Sequence, residues 1–62
     1  MKFIMEIELG NAGMSKPEHL SRSLRNISEI IGYMPDSLDV IPESISVRDE
    51  NGNKVGFYGV QK

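Results

Sequence analysis

The chain begins with an alternation. Phe3, Met5, Ile7 and Leu9 fall on one face and Lys2, Glu6 and Glu8 on the other, the period of two expected of a half-buried strand. Ile4 breaks it by placing an apolar side chain on the polar face. Gly10, Asn11, Ala12 and Gly13 follow, residues that tolerate a turn. The period then changes: Leu20, Leu24, Ile27, Ile31 and Met34 recur at steps of four, three, four and three, one stripe of a helix with 3.6 residues per turn. Ser15 as a cap, Pro17 in the first turn and Glu18 closing an S-x-x-E capping box predict a helix over Lys16 to Ile31. Gly32 is expected to adopt the left-handed conformation beyond it, with Tyr33 folding back on Ile27.

Residues Met34 to Glu43 contain Pro35 and Pro42 together with Asp36, Asp39 and Glu43. The segment reads as a connection with at most one helical turn, starting at Pro35. The last third is a hairpin. A two-residue turn at Asn51-Gly52 would pair Arg48 with Val55 and Ser46 with Phe57, mixing polar with apolar positions. A three-residue loop Glu50-Asn51-Gly52 with a left-handed Gly52 instead pairs Val47 with Val55 and Ile45 with Phe57, gathering four apolar residues on one face. That register leaves Tyr58 and Val60 on the opposite face.

The order is β-α-β-β, an α+β class: a small three-stranded, mainly antiparallel sheet with one helix packed on one face and the last strand in the centre. The expected core is Phe3, Met5, Ile7, Leu9, Ile45, Val47, Val55 and Phe57 against the helix stripe. All of residues 1–62 belong to one domain, because 62 residues bury too little surface to divide.

Composition narrows the chemistry. There are no cysteines, which removes disulfides and thiolate chemistry and suits a reducing interior. No stretch resembles a signal peptide or a membrane span. A cytoplasmic protein that does not contact the membrane is the expectation. The net charge of −2 argues against nucleic acid as a partner; the alternative of a nucleic-acid-binding protein would rest on Arg22, Arg25, Arg48 and Lys54. His19 is the sole histidine, and one imidazole without a matched nucleophile reads as a packing residue. The Gly10–Gly13 turn lacks the spacing of a phosphate-binding loop. Asp36, Asp39 and Glu43 lack the spacing of a calcium loop. No catalytic, cofactor or metal residue is assigned, and the chain is expected not to be an enzyme. The residues expected to meet a protein partner, or a second copy of the chain, are Ile4, Tyr58 and Val60 on the bare sheet face, and Asp36, Asp39 and Glu43 in the acidic connection.

Two segments carry a resemblance. Phe3-x-x-Glu6-Ile7-x-Leu9-Gly10-Asn11, with Met14 and Pro17-Glu18 following, and Val47-Arg48-Asp49-x-Asn51-Gly52-Asn53-x-Val55-Gly56 resemble a set of very short, uncharacterised phage and prophage proteins. The resemblance implies an accessory protein without catalytic residues that binds a host or viral protein, inhibition of a host factor or defence system being one form of such action. The length and element order are also similar to small tautomerase subunits, whose base is an N-terminal proline amine. Residue 2 here is Lys, so no activity carries over.

Overall fold

A computed structural model describes all 62 residues. Strand β1 spans Lys2–Ile7, helix α1 Pro17–Gly32, strand β2 Ile45–Arg48 and strand β3 Lys54–Gln61. Two short 3-10 turns, Ala12–Met14 and Leu38–Val40, lie in the connections. The sheet order is β1-β3-β2, with both pairings antiparallel. The expected class, element order and central last strand are therefore observed.

Each element follows from local chemistry, with some changes of detail. Helix α1 starts one residue later than expected, and its first turn is not capped by Ser15. The Ser15 hydroxyl donates to the Ala12 carbonyl at 3.2 Å, while His19 Nδ1 accepts the backbone N–H groups of Ser15 and Lys16 at 3.1 and 3.2 Å. The imidazole thus reaches back one turn and takes the part foreseen for Glu18. At the other end Gly32 is not left-handed. Tyr33 remains in the right-handed region, and the N–H groups of Tyr33 and Met34 donate to Ile30 and Ile31, closing the helix with a tightened turn. Tyr33 consequently stays exposed instead of packing on Ile27.

The hairpin loop is Glu50-Asn51-Gly52 as expected, with Gly52 at φ +83° and the Asp49 N–H bonded to the Asn53 carbonyl. Arg48 lies opposite Lys54, which continues the expected pairing for one step. The ladder then slips. Val47 pairs with Gly56, Ser46 with Phe57 and Ile45 with Tyr58, so that β3 contributes one extra residue in a bulge. Because side chains alternate, this one-residue slip exchanges the faces of everything beyond it. Tyr58 and Val60, expected outside, are 1% and 3% exposed beneath the helix. Phe57, expected in the core, lies on the outer face opposite Glu6. The physical reason is β1: its alternation is kept, so Met5 pairs with Tyr58 and Phe3 with Val60 on the face that α1 covers.

The core is Met14, Ile27, Val47, Val55 and Tyr58, with Met5, Ile7, Leu20, Ile31 and Ile45 packed around it. Ile41 is also buried. Phe3 and Leu9, placed in the core by the alternation, are exposed, as is Leu24 on the helix stripe. Two glycines in β3 accept close backbone. A Cβ on Gly56 would collide with the Glu6 carbonyl, and one on Gly59 with the Glu43 carbonyl.

Candidate functional site

The sequence candidates separate in the structure. Tyr58 and Val60 supply core packing, not an exposed patch. Ile4 does lie on the outer sheet face, half-buried, opposite Gly59 and diagonal to the half-buried Phe57. Asp36, Asp39 and Glu43 are all exposed along the connection, and they do not converge on a common ligand position. Of the four basic residues, two are engaged within the chain. Arg22 forms an ion pair with Glu50, and Arg48 donates to the Gly52 carbonyl at 3.1 Å. Arg25 and Lys54 remain as exposed charges.

The polar groups that do converge tie α1 to the hairpin loop. Glu50 sits between Arg22 and the His19 Nε2, the latter at 3.6 Å. With Nδ1 accepting two backbone donors, the ring carries its proton on Nε2, facing that carboxylate. Nδ1 thus fixes the helix start, and the ring's other side lies beside the loop carboxylate. Asp49 organises the loop itself: it is buried, and its Oδ1 accepts the N–H groups of Asn51 and Asn53, each at 2.9 Å. Gly13 packs against it so closely that a Cβ would lie 2.9 Å from the Asp49 Cγ.

The largest apolar feature lies elsewhere. Met1, Phe3, Ile31, Leu38, Ile41 and Val60 line an open groove of about 390 Å³, all six of them hydrophobic. The 3-10 turn at Leu38–Val40 carries Leu38 to its rim, where it is 66% exposed, and Phe3 reaches it from β1. Beside the groove runs the outer edge of β1. The Glu8 N–H donates to the Val55 carbonyl, so the even-numbered residues of β1 bond to β3. By the alternation of an antiparallel ladder, the N–H and C=O groups of Phe3, Met5 and Ile7 point away from the sheet.

Sequence reasoning missed this groove. Leu38, Val40 and Ile41 stand among prolines and carboxylates, where no period of two or 3.6 marks them. The available signal was the apolar content of a segment otherwise built from turn formers. No helix is long and apolar enough to cross a membrane. Comparison with known proteins finds no family model, no curated protein and no solved structure that matches the chain.

Proposed function

We propose that this chain is a non-enzymatic accessory protein that acts by binding another protein through the apolar groove beside β1. The observation that carries the reading is the groove itself: it is lined by six hydrophobic residues, with Ile41 and Val60 buried at its floor and Met1, Phe3 and Leu38 exposed around it, in a chain with only 10 buried residues. Exposed apolar surface that is contiguous and rimmed by polar residues is the usual form of a protein interaction site. The acidic residues Asp36 and Asp39 flank Leu38 in sequence and would act as the charged rim, favouring a partner with basic residues around an apolar centre. The internal engagement of Arg22, Arg48 and His19 supports the same reading, because it withdraws the groups on which nucleic-acid binding or acid-base chemistry would draw. The resemblance of the β1 and hairpin motifs to short phage proteins supports a phage or prophage setting, with a host factor or defence protein as the target.

Leu38→Glu is the test, since the side chain is largely exposed and its replacement leaves the core intact. Capture from a bacterial lysate with the parent chain and the variant should yield a protein that the variant loses. Equal yields from both, or a bound species that disappears on nuclease treatment, would overturn the reading.

A further inference from the structure

The two edges of the sheet differ. Strand β2 has four residues, adjoins the bulge and follows Pro42, features that protect an edge from pairing. Strand β1 has six residues, holds an unbroken register with β3 and contains no proline. No hydrogen bond outside the regular ladder engages the backbone of Phe3, Met5 or Ile7. An edge of this kind is a template for a further strand.

We propose that β1 pairs antiparallel with β1 of a second copy about a two-fold axis at Ile4, joining two three-stranded sheets into one of six strands. This inference rests on the protein-binding reading above and names a second copy as the occupant of the edge. The charge pattern argues for a second copy as the partner, and Ile4 sets the register. In a two-fold antiparallel pair, residues on the same face must meet, so the register changes only in steps of two. Centred on Ile4, the pairing sets Lys2 of each copy opposite Glu6 of the other, Ile4 opposite Ile4, and Phe3 opposite Met5. Two opposite-charge pairs thus flank an apolar pair on the outer face. Centred on Met5 instead, it keeps opposite charges together, Lys2 with Glu8, but sets Ile4 against Glu6 and loses the apolar pair.

The backbone agrees. Phe3 and Met5 present their N–H and C=O groups to the edge, so they form the hydrogen-bonded pairs. Lys2, Ile4 and Glu6 then fall at the non-hydrogen-bonded pairs, where side chains approach most closely. Ile4, the apolar residue that interrupts the polar face of β1, acquires a partner at the axis. Met1 of each copy comes to lie beside Ile7 of the other, which carries the exposed Leu9 of one chain toward the exposed Met1 of its neighbour. A stable interface covers about 800 Å² on each partner, roughly a fifth of the 4446 Å² that this chain exposes. A chain with so few buried residues gains from that coverage.

The experiment is a charge exchange read by sedimentation velocity, with circular dichroism confirming the fold of each variant. Lys2→Glu and Glu6→Lys each replace two attractive pairs by two repulsive ones and should weaken self-association about tenfold or more. An equimolar mixture of the two single variants restores complementary pairs and should form a heterodimer, and the double exchange should dimerise as the parent does. A parent that remains monomeric at millimolar concentration overturns the proposal, as does a dimer that neither single variant weakens. The groove at Leu38 is unchanged in all of these variants. Loss of the dimer with Leu38-dependent capture retained therefore removes only this proposal, whereas parent capture that does not depend on Leu38 removes the reading beneath it.

Discussion

Tyr58 offers the sharpest test of the fold, because the two hairpin registers give it opposite environments. In the unslipped register Tyr58 points away from the helix and Tyr58→Glu would leave the fold intact. In the structure its side chain is 1% exposed and sits in the central cluster with Met14, Ile27, Val47 and Val55. Truncating a buried aromatic to Ala costs about 3–5 kcal/mol through lost transfer energy and the cavity left behind. At roughly 0.05–0.15 kcal/mol per residue, 62 residues carry only about 3–9 kcal/mol in total. Tyr58→Ala should therefore lower Tm by more than about 12 °C, at the 4–8 °C per kcal/mol typical of this size, and Tyr58→Glu should abolish the cooperative transition. Tyr58→Phe separates the ring from its hydroxyl. The hydroxyl oxygen is buried and makes no hydrogen bond within the chain, so its removal should leave stability equal or raised, by up to about 1 kcal/mol. Thermal and urea melts followed by circular dichroism decide the matter. A Tyr58→Ala variant melting within a few degrees of the parent would refute the slipped register and the core built on it.

Other positions make narrower claims. On the helix stripe, Ile27→Ala should cost about 2–5 kcal/mol because Ile27 is 5% exposed, whereas Leu24→Ala, at 42% exposed, should cost less than about 1.5 kcal/mol; equal losses in urea melts would place the helix on another face. Asp49→Ala leaves the Asn51 and Asn53 N–H groups without their acceptor and should destabilise by about 1–3 kcal/mol, while Asp49→Asn keeps an acceptor oxygen and should retain most of that stability in the same melts. His19→Ala removes the acceptor for two backbone donors at the start of α1 and should cost about 0.5–2 kcal/mol, seen as faster amide exchange at Ser15 and Lys16 than elsewhere in the chain. Gly52→Ala forces a Cβ into φ +83° and should cost about 1–2 kcal/mol; an unchanged melting midpoint would contradict the left-handed loop.

The elements with a clear period were legible in the sequence, and so was their order. The alternation of β1 and the stripe of α1 report which side chains share a face, and the Asn51-Gly52 pair reports a tight loop. Legibility failed where one residue changes everything downstream. Counting outward from the loop, the pairing of Val47 with Val55 gathers the apolar residues of an isolated hairpin well. The sheet, however, has a third strand, and β1 brings Phe3, Met5 and Ile7 to the central strand as a fixed set. Satisfying β1 and β2 together requires β3 to present Val55 near the loop and Tyr58 and Val60 further along, residues of opposite parity, and only an inserted residue between them achieves that. The sequence does mark the place. Gly56 follows Val55 directly and Gly59 lies three positions on, and glycine inside a strand indicates a bulge or a close backbone approach. Both glycines fulfil it, one against the Glu6 carbonyl and the other against that of Glu43. The candidate surface then followed the register: once Tyr58 and Val60 turn inward, the outer sheet face keeps only the half-buried Ile4 and Phe57, while Phe3 at the edge of β1 and Leu38 above it are among the apolar residues left in solvent. A parity error in one strand thus moved the candidate site from the sheet's outer face to its edge.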